Sequence, residues 1–172
     1  MHFLRHAFSE AESGKGLVVG CRIIGCGVAN RGDDAAGLLV VRRLRELGVE
    51  ALEHGGEGLT LMEHWEGQEA VVLIDAVVTG AAPGAVTVWE GRDAPMMEGF
   101  CRTSTHAVGV AEAVRLARVL DRLPQRLLIY GIEGRRFDLG SAPSAEVVAA
   151  TERLARRLAV EGGLSHVFSS AG

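Results

Sequence analysis

Three apolar segments separated by amphipathic stretches dominate the sequence. These segments are LVVGCRIIGCG at 17–27, AVVLIDAV at 70–77 and RLLIYGIE at 126–133. Runs this apolar suit strands buried on both faces, as parallel strands are when helices cover a sheet on either side. The stretch after the first segment carries Val40, Leu44 and Leu47 at helical spacing, which predicts an amphipathic helix that ends before Gly48. The sequence therefore favours a parallel sheet covered by helices.

The remaining segments extend this α/β architecture. Further strands are predicted at 49–56 and 85–90, and further helices at 59–65, 105–120 and 144–160. The connection between the strands at 70–77 and 85–90 is too short for a crossover helix, so we expect 85–90 to run antiparallel at an edge. These elements predict a three-layer αβα sandwich around a five-stranded, twisted, mostly parallel sheet of the phosphorylase/hydrolase-like kind. We assign residues 1–172 to this single domain, with 1–15 and 162–172 as tails.

Charge and composition exclude several classes of partner. The chain has 172 residues and a formal net charge of −4, whereas binding to nucleic acid needs a basic surface. No apolar run reaches the roughly 18–20 residues of a membrane span, and the N-terminus lacks the apolar core of a signal peptide. The three cysteines are an odd number without CxxC spacing, which argues against a disulfide framework and favours small buried side chains. We therefore expect a cytoplasmic protein that binds neither nucleic acid nor membrane.

Three potential metal ligands fall at the same end of the predicted sheet. Asp34 follows the first strand at the start of its helix, Asp75 lies near the end of the strand at 70–77, and His106 opens the helix that leads to the last strand. In open α/β sheets, ligands bind beyond the carboxyl ends of the strands. Two carboxylates and an imidazole suit a divalent metal and leave a position for water or substrate. A helix N-terminus also favours ionised aspartate and neutral histidine, the forms that bind metal.

The same residue types also occur in purely structural roles and in sites of other kinds. Asp33 or Asp34 is expected to cap the following helix, Asp75 can bond turn amides, and a histidine at a helix start is commonly structural. The turn GCGVAN lacks the third glycine of a dinucleotide-binding site, and its acids would repel a pyrophosphate. A phosphorylated receiver domain would need a lysine where GIE stands at 131–133, and the only lysine is Lys15. These features favour a cation at the turn.

Five short motifs occur in a fixed order between about residues 22 and 158. They are GCGVANRGDDAAG at 25–37, GGEGL at 55–59, LIDAV at 73–77 with the turn Pro83-Gly84, STHAVGV at 104–110 and GIEG at 131–134. Together they make the chain resemble the maturation endopeptidases of nickel–iron hydrogenases. The chain departs from the family pattern at Val28, Ala35 and Glu57, where the family usually has asparagine, glycine and threonine. Because these positions line the expected substrate cleft, they bear on the identity of the substrate.

The resemblance implies an enzyme that removes a short C-terminal extension from the hydrogenase large-subunit precursor after nickel has been inserted. That precursor would be the protein partner and would supply the nickel, although other divalent metals can occupy such a site. The metal-contacting and catalytic residues of the family correspond here to Asp34, Asp75 and His106. The residues that we assign to the substrate cleft are Asn30, Asp33, Glu57 and Glu133.

Two mechanisms and two further functions stay open from the sequence. The metal can polarise the scissile carbonyl or activate water. Alternatively, an ionised Asp34 or Asp75 can act as general base, with the metal only positioning the substrate, which would suit the aspartic-type class to which the family is commonly assigned. On the same fold, the chain could instead be a non-catalytic nickel-dependent chaperone, or a protease of this family with a different peptide substrate.

Overall fold

The described residues form five strands and four helices. The computed structural model describes residues 21–91 and 107–169. The strands are β1 (Cys21–Cys26), β2 (Leu52–His54), β3 (Ala70–Val77), β4 (Val86–Glu90) and β5 (Arg126–Glu133). The helices are α1 (Ala36–Glu46), α2 (Gly58–Trp65), α3 (Ala107–Val119) and α4 (Ala145–Ser169), and a 3-10 turn at Gly32–Ala35 precedes α1. Within the described residues, no helix combines the length and the apolarity needed to cross a bilayer.

The strands form one sheet in the order β2-β1-β3-β5-β4. Strands β1, β2, β3 and β5 are parallel, and β4 pairs with β5 in the antiparallel sense at the edge. This confirms both the mostly parallel sheet and the antiparallel edge strand that the short connection after 70–77 predicted. The carboxyl ends of β1 and β3 therefore lie side by side at one rim of the sheet, as expected.

Helices cover both faces of the sheet, so the predicted αβα sandwich is confirmed. One face packs against α1 and α4 through a cluster that includes Val40, Leu44, Val147 and Leu154 with Ile74 of β3. The other face packs against α2 and α3 through a cluster that includes Leu61, Trp65, Val110 and Val114 with Leu73 of β3. Successive residues of β3 alternate between the two clusters, as the two-residue period of a strand requires.

Two helices differ from the sequence prediction. In α1 the buried face includes Val41, which is fully buried, whereas Leu47 is 39% exposed and does not extend the apolar stripe. The reason is that α1 ends at Glu46, and Gly48 turns the chain away with a φ of 81°. Helix α4 continues to Ser169, although the sequence pattern ended it at 160. The pair Gly162-Gly163 gave no helical signal because glycine is a poor helix former.

Glycines bring α1 unusually close to the sheet. A Cβ at Gly25 of β1 would lie 2.1 Å from the carbonyl oxygen of Gly37, and a Cβ at Gly37 would lie 2.2 Å from that of Cys26 and 2.4 Å from that of Ile74. Real Cβ atoms do not approach oxygen this closely, so both positions require glycine. The glycine-rich stretch thus serves helix-to-sheet packing and places the 3-10 turn beside the ends of β1 and β3.

Candidate functional site

Asp34 lies in the 3-10 turn between β1 and α1. Its side chain is 2% exposed, and the backbone N–H of Val28 donates to its Oδ2 at 3.2 Å. The N-cap residues of the 3-10 turn and of α1 are Arg31 and Ala35, so neither Asp33 nor Asp34 occupies the predicted cap position. The turn places both residues ahead of α1 itself, and each carboxylate accepts from amides elsewhere in the fold.

Asp75 lies near the carboxyl end of β3 and is 4% exposed. Leu73 and Val77, its neighbours on the same face of the strand, belong to the cluster under α2 and α3, so its side chain is directed toward those helices. The backbone N–H of Ala76 donates to its Oδ1 at 2.8 Å. Ala76 belongs to β3 itself, so this bond comes from a strand amide, whereas the sequence allowed bonds from turn amides.

The two aspartates interact electrostatically. Burial, together with the negative charge of Asp34, raises the pKa of Asp75 to about 8, although the bond from the Ala76 amide acts in the opposite direction. Asp75 therefore holds a proton at neutral pH as long as no cation is present. We call Asp34 and Asp75 the acid pair.

Cys26 lies beside the acid pair at the end of β1. It is fully buried, and burial together with the charge of Asp75 raises the pKa of its thiol well above the usual range. A thiol must ionise before it can bind metal or attack a carbonyl. Cys26 is therefore a small buried side chain at this rim, as the sequence favoured for the cysteines.

His106 lies outside the described residues, so the structure does not test its place beside the acid pair. Helix α3, which begins at Ala107, packs on the face of the sheet toward which Asp75 points. Within residues 21–91 and 107–169, no group of three His, Cys, Asp or Glu side chains is spaced to hold a metal ion. The described part of the predicted site thus consists of two carboxylates.

Asp33 is fully buried and is directed away from Asp34. Its Oδ1 accepts from the N–H of Ser144 at 2.6 Å, and its Oδ2 accepts from those of Arg135 and Arg136 at 2.9 and 3.0 Å. Burial would raise its pKa, but these three bonds outweigh burial and lower it. Asp33 therefore connects the 3-10 turn before α1 to the loop after β5. Its assignment to the substrate cleft stays a prediction.

Glu133 closes β5 and is 3% exposed. Its carboxylate accepts from the N–H groups of Thr79 and Gly80 and from the Thr79 hydroxyl, at 2.8–3.0 Å. Glu133 therefore holds the loop that follows Asp75. These hydrogen bonds give the Glu133 carboxylate a structural role at the rim. The assignment of Glu133 to the substrate cleft stays a prediction.

Asn30 and Glu57 are the exposed members of the predicted cleft. Asn30 has a φ of 62°, and its carbonyl oxygen accepts from Gly140 N–H at 2.7 Å. Glu57 lies just before α2, and its carbonyl oxygen accepts from Leu61 N–H at 3.0 Å. Both side chains lie on loops at the carboxyl end of the sheet, where a peptide substrate can reach them.

Sequence reasoning missed the environment of Asp75 on the β5 side. Asp75 pairs with Gly131, and a Cβ at Gly131 would lie 2.5 Å from the indole of Trp89. The half-buried Trp89 of β4 therefore packs over the strand next to Asp75. A glycine inside an otherwise apolar strand was the available signal, because such glycines mark a close approach by another group.

Comparison with known proteins gives one consistent family. The model of the HycI family, described as hydrogenase maturation protease, matches residues 38–161. This range includes the positions of Asp75 and His106, and Asp34 precedes it. The hydrogenase expression/formation protein HoxM of Azotobacter vinelandii is 28% identical over 144 residues, which is 81% of this chain and 70% of HoxM. Protein FrxA of Pyrococcus furiosus is 32% identical over 71% of this chain and 90% of its own length.

The coverage differs among relatives, and the solved structures agree in fold. The chain spans only 56% of the length of HupM from Azotobacter chroococcum, to which it is 29% identical. The [NiFe] hydrogenase maturation protease HybD from Thermococcus kodakarensis is 31% identical, with a TM-score of 0.65 over 81% of this chain and 98% of that one. The hydrogenase maturating endopeptidase HybD from E. coli, at 22% identity and a TM-score of 0.68, shares the fold over 80% of this chain and 88% of its own.

Proposed function

Because the chain belongs to the hydrogenase maturation protease family, we propose that it is the endopeptidase that removes the C-terminal extension of a nickel–iron hydrogenase large-subunit precursor. Cleavage would follow nickel insertion, so that the nickel arrives as part of the substrate. The reaction would take place in the cytosol, which suits the free thiols of Cys21 and Cys26.

The observation that carries the proposal is the buried acid pair at the carboxyl rim of the sheet. Asp34 and Asp75 come from separate segments, are each almost fully buried, and repel one another enough to contribute to a pKa of about 8 for Asp75. Burying two like charges together is costly unless a cation or a proton lies between them. The pair is therefore suited to recognise a divalent metal ion, and carboxylate oxygens bind such ions readily.

Nickel recognition would involve a proton exchange at Asp75. In the metal-free protein Asp75 is protonated at neutral pH, and a metal ligand has to be deprotonated. The nickel of the precursor would displace this proton and be held by both carboxylates, with His106 as the third ligand on our assignment. Precursor without nickel would leave Asp75 protonated and would be bound less well. This gives a physical basis for cleavage only after nickel insertion.

Two routes for the hydrolysis itself fit this arrangement. In the first, the nickel supplies Lewis acidity, which polarises the scissile carbonyl or activates water. In the second, one carboxylate of the acid pair takes a proton from the attacking water, for which a pKa near the working pH is well suited. In both routes Asp34 and Asp75 bind and orient the substrate, and Trp89 keeps water from the β5 side of Asp75.

The direct test incubates the purified protein with nickel-loaded precursor and follows the mass of the large subunit. We expect the wild-type protein to remove the C-terminal extension and nickel-free precursor to stay intact. Asp75→Asn and His106→Ala should lower the rate by at least about a hundredfold, since loss of a metal ligand or a general base typically costs that much. The matched control is Glu50→Gln, which neutralises an exposed carboxyl group that is not assigned to the site.

The outcomes separate the alternatives that the sequence left open. Stable binding of the nickel-loaded precursor without loss of mass would indicate a nickel-dependent chaperone instead of a protease. Normal cleavage by both Asp75→Asn and His106→Ala would remove the acid-pair site from the mechanism. Cleavage of another peptide but not of hydrogenase precursors would indicate a family member with a different substrate.

A further inference from the structure

His54, at the end of β2, makes hydrogen bonds through both ring nitrogens. Its Nδ1 accepts from the backbone N–H of Gly56 at 2.8 Å, and its Nε2 lies 3.2 Å from the hydroxyl oxygen of Thr60. That hydroxyl donates its single proton to the carbonyl oxygen of Glu57 at 3.1 Å. Nε2 must therefore donate to Thr60 and carry the ring proton. Neutral His54 thus satisfies every partner in this short network.

Protonation of His54 would break the network. A second ring proton on Nδ1 would face the N–H of Gly56, and two donors cannot bond each other. Burial is the main factor that lowers the pKa of His54, the nearby His64 lowers it further, and Glu57 opposes both. The ring of His64 lies 5.1 Å from that of His54 in an edge-to-face arrangement. The structure therefore favours the neutral ring at ordinary pH.

The turn held by His54 packs against the start of α3. A Cβ at Gly109 would lie 1.6 Å from the carbonyl oxygen of Gly56, and a Cβ at Gly58 would lie 3.2 Å from the carbonyl oxygen of Gly109. The backbone of the turn at 55–58 and the first turn of α3 are thus in direct contact. At this contact α3 presents Gly109 and Ala113, which carry no charge. A shift of the turn would move the start of the helix.

We propose that neutral His54 is a positioning residue of the processing reaction: it holds the turn at 55–58 against the start of α3, and its protonation releases that turn. This inference rests on the proposed function, because residue 106 directly precedes α3. His54 does not touch the scissile bond in this account. It acts through the backbone of Gly56, which fixes the position from which α3 begins.

The first test compares kinetics of the wild-type protein with those of His54→Asn and His54→Ala, using nickel-loaded precursor. An asparagine side chain can accept from the N–H two residues ahead but does not titrate. At neutral pH we expect His54→Ala to process about three- to tenfold more slowly, the range that one hydrogen bond supports, and His54→Asn to stay within about twofold of wild type. The slower processing by His54→Ala should appear mainly as a higher KM and not as a lower kcat, because substrate recognition depends on the start of α3.

The pH profile gives the sharper readout. Dividing the wild-type rate by the His54→Asn rate at each pH cancels the titration of the acid pair and of every other group the two proteins share. We expect this ratio to fall about three- to tenfold as the pH drops from 7.5 to 4.5, a range that extends well below the usual pKa near 6.5 because the pKa of His54 is lowered, and because protonation releases the turn only in the wild type. His64→Asn is the matched control: the decline should persist, with its midpoint at a slightly higher pH because His64 no longer lowers the pKa of His54. A ratio that stays constant over this range would overturn the proposal.

A second measurement does not depend on processing. Nitrogen NMR of the imidazole should show His54 in the Nε2–H form at neutral pH. When the pH is lowered, the chemical shifts of the His54 ring nitrogens and of the Gly56 amide should change with the same midpoint. Amide exchange at Gly109 should be faster in His54→Ala than in His54→Asn. If the wild type cleaves no precursor at any pH, the proposed function fails, and these signals alone then decide the role of His54. A proton on Nδ1 of His54 at neutral pH, or equal amide exchange at Gly109 in His54→Ala and His54→Asn, would overturn the proposed role of His54.

Discussion

Asp33 and Asp34 are adjacent in sequence, but their side chains contact different parts of the molecule. Asp33 accepts three backbone bonds from the loop after β5, whereas Asp34 accepts from Val28 and interacts with Asp75. The first arrangement stabilises a carboxylate, and the second destabilises one. The same residue type therefore serves structure at one position and cation recognition, on our proposal, at the next.

We predict that Asp33→Asn destabilises the protein without removing the acid pair. An amide group would place a donor against backbone N–H groups that now meet a carboxylate, at a cost of about 1–3 kcal/mol. The pKa of Asp33 is lowered in the folded state, so its contribution is present above the ordinary pKa of the unfolded chain, about 3.9, and is lost as pH falls through the lower folded value. Urea unfolding at pH 7 and at pH 3 should show a smaller difference between variant and wild type at pH 3. Glu50→Gln, at an exposed position, is the control.

The residue types at the rim could be predicted from the sequence, but their separate roles could not. Asp34 and Asp75 were predicted because Asp34 follows one apolar strand and Asp75 lies near the end of another, and the carboxyl ends of these strands share one edge. The partners of Asp33 lie 102 to 111 residues away, at Arg135, Arg136 and Ser144. No local pattern reports such contacts, so the sequence suggested a helix cap where the fold has a long-range anchor.

At the scale of elements, the bounds of β3 and β5 were predicted because each is a continuous apolar run that ends at polar or glycine residues. The antiparallel sense of β4 followed from the length of one connection. The buried face of α1 was predicted less well, since it includes Val41 as well as Val40 and Leu44. A helix that packs closely on a sheet buries a wider face than a spacing of three or four residues indicates.

The close packing of α1 leads to a prediction at Gly37. Helix propensity alone predicts that Gly37→Ala stabilises α1 by about 1 kcal/mol. The structure predicts the opposite sign, because the new Cβ would lie 2.2 and 2.4 Å from carbonyl oxygens of Cys26 and Ile74. We expect a loss of about 1–3 kcal/mol, measured by chemical unfolding, and a further loss of processing, since the 3-10 turn with Asp34 must move.

Gly55→Ala is the matched control for Gly37→Ala. A Cβ at Gly55 meets nothing within 4 Å, so this variant should keep a stability near the wild-type value. If Gly37→Ala is as stable as the wild type, or more stable, then α1 can move away from the sheet without a loss in the free energy of unfolding. The contact between Gly25 and Gly37 would then not be what places the acid pair.

At the scale of the whole molecule, the acid pair makes stability depend on pH and on metal. The pKa of Asp75 is about 8 in the folded protein and close to 3.9 in the unfolded chain, so between these values the folded state binds the extra proton. Its stabilising contribution is therefore complete below about pH 4 and is lost as pH rises toward 8, by at most about 1.4 kcal/mol per pH unit. Asp75→Asn removes this dependence, so the metal-free variant should gain stability over the wild type as pH rises.

Nickel should reverse this trend, because the ion takes the place of the proton. At pH 8 about half of the Asp75 side chains have lost the proton, whereas at pH 6 nearly all hold it, so millimolar nickel should raise the Tm of the wild type more at pH 8 than at pH 6. A stabilisation of 1 kcal/mol corresponds to about 2–4 °C for a chain of this size. Asp75→Asn should show little of this rise, and it also corrects for nickel bound by the histidines and cysteines of the unfolded chain. Equal shifts in the two proteins, or a larger wild-type shift at pH 6 than at pH 8, would mean that nickel binds elsewhere. A selective rise at pH 8 would show that two carboxylates from distant segments act together on one cation, as the proposed recognition of nickel-loaded precursor requires.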